Sequence, residues 1–266
     1  MRPIGADFPA DFALPTPRRL TASDVALLAA MNVAEVTVAR KPRVALIATG
    51  DELVMPGGDP RPDQIIASNI FGLKALIEQN GGTADILPIT ADTEAALHAT
   101  FTQAIDADLI VTIGGASVGD HDLVGKVAQD FGLDRAFYKI AMRPGKPLMS
   151  GTMRGKPFLG LPGNPVSAMV CGHLFLLPMV RKLAGLTDVL PQIITAKLAA
   201  DLSANGPRAH YMRAEITEGP DGRSITAFNR QDSALLTVLS NANALLIRPI
   251  KDPALKIGTF VNAIQL

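Results

Sequence analysis

Three carboxylates follow segments of the sequence that have the pattern of buried strands. Glu52 lies in ATGDEL, Asp92 comes just after the strand-like TADILPIT, and Asp122 ends the stretch TIGGASVGDHD. In an open α/β sheet, ligands bind beyond the carboxyl ends of the strands, and Mg²⁺ prefers carboxylate oxygens together with substrate phosphates. We therefore predict that the three side chains converge on one metal ion. The alternatives are a solvated acidic turn at Glu52 and a helix-capping role for Asp92.

The stretch TIGGASVGDHD also has the composition of an anion-binding loop. Gly114, Gly115 and Gly119 would let backbone N–H groups converge on a negative charge, as they do in phosphate-binding loops. No Gly-Lys-Ser/Thr follows, which excludes the P-loop pattern. We predict a phosphate-bearing ligand that is held without a P-loop, and the alternative is a merely tight turn.

Two cations lie on a proline-stiffened loop, AMRPGKPLMSG. Arg143 and Lys146 of this loop would help to bind a polyanion if the loop lies near the glycine-rich stretch. The alternative is a solvated basic turn.

The segment GLPGNPVS has the features of a rigid helix start. Asn164 is a good N-cap and Pro165 suits the first helical position. We expect the backbone N–H groups of Val166 and Ser167 to point outward without partners, held in place by the preceding Pro-Gly pair. The segment is therefore predicted to be a preorganised anion cradle, and the alternative is a purely structural helix start.

These segments are connected by alternating strands and helices. Buried strand patterns separated by amphipathic helices predict an α/β domain over residues 41–187 with a mostly parallel sheet flanked by helices. Residues 1–40 are predicted to be an irregular segment with one helix at about 21–31. Short strands broken by Gly-Pro, Pro-Asp-Gly and Asp-Pro turns predict a small all-β domain over 188–266.

Composition limits the class of protein. The chain has 266 residues with 25 basic and 25 acidic side chains, so no global field favours nucleic acid or an anionic membrane as a partner. The longest apolar run is too short to span a bilayer and the first residues lack the features of a signal peptide, which predicts a cytoplasmic protein. The single cysteine, Cys171, excludes an internal disulfide and a thiolate metal cluster.

The motifs ATGDEL, GGASVGDHD, PGKP and GLPGNPVSA, in this order and with these intervals, resemble the molybdopterin molybdotransferases, of which the bacterial MoeA type and the E domain of gephyrin are examples. Residues 231–249 resemble the last domain of that family, and residues 20–36 the helix before its central domain. The resemblance implies a MogA-like molybdopterin-binding fold followed by a small β-barrel-like domain. It also implies a homodimer that inserts molybdenum from molybdate into adenylylated molybdopterin, with Mg²⁺ and release of AMP.

The resemblance assigns roles to individual residues. Glu52, Asp92 and Asp122 match acidic positions implicated in catalysis or metal binding. The residues implied to contact the substrate are Thr49, Gly50, Asp51, Gly114, Gly115, Ser117, Gly119, Arg143, Lys146, Pro162, Gly163, Asn164, Pro165 and Ser167.

The sequence also departs from the family pattern. Members carry a further N-terminal portion, with a lobe that reaches toward the partner's active site, and this sequence begins after it. Arg143 replaces the usual Lys, Ala116 the usual Val, and Thr93 the usual second Asp, so that one carboxylate near the expected metal is absent. Two alternatives remain: a non-catalytic molybdopterin-binding or assembly protein, and a CinA-like nucleotide pyrophosphate hydrolase. The GLPGNPVSA motif followed by a β domain argues against the second.

Overall fold

The computed structural model describes residues 3, 5–115, 123–220 and 222–266. The strands are β1 (Arg43–Ala48), β2 (Leu53–Val54), β3 (Ile65–Ile66), β4 (Thr83–Ile86), β5 (Leu109–Ile113), β6 (Leu133–Tyr138), β7 (Met142–Arg143), β8 (Met149–Met153), β9 (Lys156–Leu161), β10 (Ile193–Leu198), β11 (Ala209–Gly219), β12 (Gly222–Ala227), β13 (Ala244–Arg248) and β14 (Phe260–Gln265). The helices are α1 (Ala22–Ala30), α2 (Asn69–Gln79), α3 (Glu94–Ala104), α4 (Leu123–Asp130), α5 (Pro165–Cys171), α6 (Leu177–Leu183) and α7 (Leu236–Ser240), with a π-helical turn (Gly172–Leu176) between α5 and α6.

The main sheet is mostly parallel. Its strand order is β4-β1-β5-β9-β8-β6, in which β4, β1, β5 and β9 are parallel and the β8–β9 and β6–β8 pairs are antiparallel. Five of the six residues of β1 and all five of β5 are buried, as expected for strands covered on both faces. The predicted α/β fold with a mostly parallel sheet is confirmed.

Helices cover both faces of this sheet. On one face α2, α5 and α6 contribute Ile70, Val166 and Val180 to the core, and on the other α3 and α4 contribute Phe101 and Val127. The helical run Pro165–Leu183 is long and apolar enough to cross a membrane by length and composition, but half of its most apolar window is buried inside the protein. It packs as a core helix.

Local sequence signals account for several boundaries. Thr21 and Asp24 form a reciprocal capping box at the start of α1, which confirms the helix predicted there. The hairpin after the basic loop is formed by β8 and β9, and its turn residues Arg154 and Gly155 both have positive φ, 48° and 81°. Positive φ at both central residues is typical of the turn that matches the strand twist of a two-residue hairpin.

One strand-like stretch of the sequence is divided in the structure. RAFYKIAMR has the pattern of a single strand, but it supplies β6 to the main sheet and β7 to the second sheet. The chain changes direction at Lys139, whose φ is 67°. Local strand propensity cannot show that two halves of one apolar run belong to different sheets.

The second sheet forms a small barrel. Its order is β12-β10-β14-β13-β11, and β12 also pairs with β11, which closes the ring. Ala196, Ala214, Leu246 and Ala263 lie in its interior. The predicted small β-rich region after the α/β region is confirmed, and β7 pairs with β11, which joins the two regions.

Candidate active site

A cleft of about 390 Å³ lies at the carboxyl ends of β1, β5 and β9. The predicted site residues that line it are Thr49, Glu52, Gly114, Gly115, Pro162, Gly163, Asn164 and Pro165. Leu53, Ile65 and Ile113 form apolar parts of the same wall. The carboxyl edge of the sheet thus brings together residues from four separate motifs, as expected for ligand sites of open α/β sheets.

Backbone hydrogen bonds fix the strand ends around this cleft. The Thr49 N–H donates to the carbonyl of Ile113, and the Gly114 N–H donates to that of Leu161. The side chain of Asn69, at the start of α2, donates to the carbonyl of Gly163 at 2.6 Å. These bonds hold the turns after β1, β5 and β9 in one arrangement before a ligand binds.

The turn after β5 requires glycine. Gly114 has φ of 93°, and a Cβ there would lie 2.8 Å from the carbonyl oxygen of Thr49. Gly115 has φ of 66°, and a Cβ there would overlap the side chain of Val124 and approach the Thr49 hydroxyl to 2.8 Å. Both positions combine positive φ with close approach, which an L side chain would not tolerate. The other predicted residues of this loop, Ser117, Gly119 and Asp122, lie outside the described residues.

Glu52 lines the cleft, and Asp92 lies close enough to Asp51 and Glu52 for their charges to affect its pKa. The carboxylate of Asp51 accepts a hydrogen bond from the backbone N–H of Asp92 at 3.0 Å, and Thr49 forms a bridge with Thr90. The Glu52 carboxylate folds back over Gly50, where a Cβ would lie 2.5 Å from its Oε2. Burial raises the pKa of Asp92, and the charges of Asp51 and Glu52 raise it further.

This carboxylate cluster suits a hard cation. Crowded acidic groups with a raised pKa are stabilised by a divalent ion, and carboxylate oxygens are the ligands that Mg²⁺ prefers. Within the described residues, no group of three His, Cys, Asp or Glu side chains is placed to hold a metal ion. The metal site of Glu52, Asp92 and Asp122 stays a prediction, since Asp122 lies in the stretch that is not described.

The start of α5 differs from its prediction. Asn164 is the N-cap residue, but its side chain donates to the hydroxyl of Ser233 at 3.2 Å and does not cap the helix. The backbone N–H of Val166 donates to the carbonyl of Ser233 at 3.1 Å. The prediction that the Val166 N–H is unpaired is wrong, because a segment of the barrel region covers it. Ser167 is buried, with 4% of its surface exposed.

The basic loop lies beside the cleft. Pro147 lines the cleft, whereas its neighbour Lys146 is exposed and Arg143 lies on β7 next to His210 of β11. Gly145 packs against the thiol of Cys171, and burial raises the pKa of that thiol to about 12. Cys171 is therefore a buried core residue whose thiol stays protonated near neutral pH.

Arg213 is a candidate site residue that the sequence analysis missed. It lies on β11 with 0% of its surface exposed, and burial lowers its pKa. Its Nη2 donates to the carbonyl of Asp232 at 2.9 Å, whereas Nε and Nη1 have no partner in the described part of the chain. A buried guanidinium with two unpaired donors is costly, and an oxyanion that accepts from both would remove that cost.

The position of Arg213 connects it to the cleft. Arg213 pairs with Leu245 across β11 and β13, and Leu245 belongs to the core of the α/β region, so this face of the barrel is turned toward that region. The backbone carbonyl that Arg213 contacts belongs to Asp232, the residue before Ser233, which contacts Asn164. The guanidinium thus lies near the start of α5. The available signal was an arginine between Met212 and Ala214 in the middle of a strand-like segment.

Comparison with known proteins agrees with this architecture. Residues 45–182 match the family model described as a probable molybdopterin binding domain, and residues 195–266 match the MoeA C-terminal region (domain IV). A curated molybdopterin molybdenumtransferase from Nostoc sp. is 36% identical over 260 residues, which are 95% of this chain and 59% of the relative. One from Staphylococcus epidermidis is 32% identical over 255 residues, 96% of this chain and 61% of the relative. The chain spans about three fifths of the length of the curated relatives it matches.

A solved structure shows the same fold. The molybdopterin biosynthesis MoeA protein from Pyrococcus horikoshii superposes with a TM-score of 0.79 and 29% sequence identity, covering 93% of this chain and 60% of that one. The α/β region thus carries the fold of the family described as a probable molybdopterin binding domain, and the barrel that of the MoeA C-terminal region. The chain belongs to the MoeA-type molybdopterin molybdotransferase family. The match of residues 195–266 to the MoeA C-terminal region argues against the CinA-like alternative.

Proposed function

We propose that the chain carries out the molybdenum insertion step of its family, in which molybdate and adenylylated molybdopterin react with release of AMP. The observation that carries the proposal is the buried Arg213, whose Nε and Nη1 have no partner among the described residues and lie near the start of α5, where the strand-end cleft begins. A site for a tetrahedral oxyanion beside a site for a phosphate-bearing ligand fits the two substrates of this reaction.

Each part of the site has a proposed role. The glycine turn at 114–115, with Thr49 behind it, would hold the pterin phosphate through backbone N–H groups. Arg213 and Lys146 would hold the molybdate oxyanion, as charge-assisted donors do for oxyanions elsewhere. We propose that no covalent nucleophile takes part and that most of the rate gain is electrostatic, because fixed cations and amides lie where negative charge develops.

Glu52, Asp92 and Asp122 are proposed to hold Mg²⁺. When bound, the ion supplies positive charge to the adenylyl phosphates. Asp51 would act differently from the ligands, because its carboxylate is engaged with the Asp92 backbone and holds that residue in place. Gly50 would serve by leaving room for the Glu52 carboxylate.

The remaining proposals concern the whole protein. We infer a homodimer in the cytoplasm with small-molecule substrates, on the basis of family membership and of balanced charge. A second candidate function is binding of molybdopterin without catalysis. It is favoured by Thr93, which removes a carboxylate from the segment after β4, and opposed by the approach of Glu52 and Asp92.

The test incubates the protein with adenylylated molybdopterin, Mg²⁺ and molybdate and measures AMP. We expect AMP release by the wild type, and a loss of at least about tenfold for Glu52→Gln and Asp92→Asn, which corresponds to about 1.4 kcal/mol of transition-state stabilisation. Glu78→Gln is the matched control, because Glu78 is an exposed carboxylate on α2 that pairs with Lys74. Pterin binding without any AMP would support the binding-only function and contradict the enzymatic one.

A further inference from the structure

A second polar cavity lies away from the strand-end cleft. It measures about 550 Å³ and is formed where α6, the loop before β10, the end of β14 and the lead-in to α1 meet. Arg181 in its wall lies about 16 residues along the helical run from Pro165, or roughly 24 Å at ~1.5 Å per residue. The cavity and the strand-end cleft are thus at opposite ends of one core helix.

The wall of this cavity carries excess positive charge. Arg18, Arg19 and Arg181 line it, and among the described lining residues Asp188 is the one carboxylate. Arg18 is offset by an ion pair with Asp24 at 3.1 Å. Neither Arg19 nor Arg181 forms an ion pair with any described residue, and Asp188 is within ion-pair distance of neither. Two guanidinium groups therefore face the cavity without a counter-ion from the part of the chain that the structure describes.

Arg181 is held in a fixed orientation by neutral groups. Its Nη2 donates to the side-chain oxygen of Asn80 at 2.9 Å, and its Nη1 donates to the carbonyl of Val189 at 3.4 Å. These bonds use only part of the guanidinium, which has five N–H donors in a rigid fork. The fork is therefore oriented before a ligand arrives, which lowers the entropy cost of binding an oxyanion.

The same cavity has an apolar side. Leu177, Leu186 and Ile264 line it together with the charged groups. His173 adds a neutral imidazole, because burial and the neighbouring Arg181 lower its pKa to about 4. The cavity is large enough for a small organic molecule and combines an anion-binding side with an apolar side, as ligand pockets commonly do.

We propose that this cavity binds a small phosphate monoester, with the phosphate between Arg181 and Arg19 and the organic group against Leu177, Leu186 and Ile264. A phosphate carries two negative charges near pH 7 and matches the donor geometry of two guanidinium groups. An organic group is included because inorganic phosphate would leave the apolar side in contact with water.

The test measures binding of phenyl phosphate and of inorganic phosphate to the full chain by isothermal titration calorimetry at low ionic strength. We expect saturable binding of phenyl phosphate with one site of this type per chain, and at least about threefold weaker binding of inorganic phosphate. Arg181→Gln is expected to weaken phenyl phosphate binding at least about tenfold. Arg19→Gln should weaken it at least about threefold, because Arg19 is exposed.

Two control variants separate this cavity from other cationic sites. Arg223→Gln removes an exposed guanidinium on β12 that pairs with Glu218, and Arg43→Gln removes an exposed one on β1 that pairs with Asp85. Both should leave the affinity for phenyl phosphate unchanged. Absence of saturable binding, unchanged affinity in Arg19→Gln, or loss of affinity in Arg43→Gln overturns the proposal. Arg19→Gln keeps the test valid if Arg181→Gln does not fold, since Arg19 makes no hydrogen bond to a described residue.

Discussion

Arg213 and Arg248 are two buried arginines of the barrel region with opposite hydrogen-bonding states. Arg248 pairs with Asp252 and donates to the carbonyls of Ser203 and Pro253, whereas Nε and Nη1 of Arg213 find no partner among the residues that the structure describes. A buried charge that is fully paired stabilises a specific structure, and one that is left unpaired is a cost that a ligand can remove. The contrast between the two residues is our reason for placing the oxyanion at Arg213.

This contrast predicts different outcomes for one substitution. Arg213→Met should leave the ligand-free protein as stable as the wild type or up to about 4 kcal/mol more stable, while molybdate binding is lost. Arg248→Met should lower the free energy of unfolding by about 3–5 kcal/mol, because it leaves Asp252 unpaired. Urea unfolding and calorimetric titration with molybdate measure both effects. A large loss of stability in Arg213→Met would assign Arg213 a structural role instead.

The raised pKa of Asp92 predicts that its carboxylate lowers stability at neutral pH while it serves activity. The pKa of Asp92 in the folded protein lies above the ordinary value. At pH values above this folded-state pKa, ionisation of the carboxyl therefore lowers the free energy of unfolding. The loss disappears at low pH, where the carboxyl is protonated in both the folded and the unfolded protein. Asp92→Asn should therefore be more stable than the wild type at pH 7 and equally stable near pH 3, with loss of AMP release. Urea unfolding at the two pH values checks the sign.

The effect of Mg²⁺ on stability provides a control for the Asp92→Asn experiment. Added Mg²⁺ should raise the free energy of unfolding of the wild type at pH 7, because a ligand that binds the folded state stabilises it, and should have less effect on Asp92→Asn. An Asp92→Asn protein that is less stable than the wild type at pH 7 would show that the carboxylate is stabilising and would contradict this account.

Among the secondary-structure elements, the strand ends were predicted best from the sequence. Buried apolar runs identified β1 and β5, and the rule that ligands lie at the carboxyl edge placed Glu52, Gly114 and Gly115 near one another without any coordinates. The start of α5 was predicted correctly from Asn164 and Pro165, but the partners of its amides were not. Those partners come from Ser233, 69 residues away from Asn164, and local capping rules contain no information about such contacts.

The hydrogen bond between the turn after β1 and Asp92 predicts how substitutions of Asp51 affect stability and activity. Asp51 joins this turn to the segment after β4 by accepting from the Asp92 N–H. Asp51→Ala removes the acceptor and should lower the free energy of unfolding by about 1 kcal/mol and reduce AMP release. Asp51→Asn keeps an amide oxygen in the same place, so it should retain stability and most of the activity. If the two variants behave alike in urea unfolding and in the AMP assay, the hydrogen bond from the Asp92 N–H to Asp51 contributes to neither stability nor activity.

At the scale of the whole molecule, the two sheets share a core. Leu239, Leu245 and Ile264 of the barrel region pack in the same cluster as Leu46 and Val166 of the α/β region, and β7 pairs with β11. The sequence predicted both regions but not this junction. The junction arises because RAFYKIAMR contributes to both sheets and because Arg213 and Leu245 face the α/β core, and neither is visible in the pattern of a single segment.

The shared core predicts cooperative unfolding. Urea unfolding followed by hydrogen exchange should show the α/β and barrel regions losing protection in one transition, since separating them would expose the apolar cluster and break the β7–β11 pair. Two transitions, with the barrel region lost first, would show that the interface contributes little.

The central claim is that the strand-end cleft and the adjoining guanidinium of Arg213 hold the substrates of this chain. The most direct measurement is a crystal structure of the chain with adenylylated molybdopterin and molybdate. We predict the pterin phosphate against the amides of residues 114–115 and the molybdate oxygens within hydrogen-bond distance of Nε and Nη1 of Arg213. Substrate bound away from the carboxyl ends of β1, β5 and β9, with Arg213 still unpaired, would contradict the account.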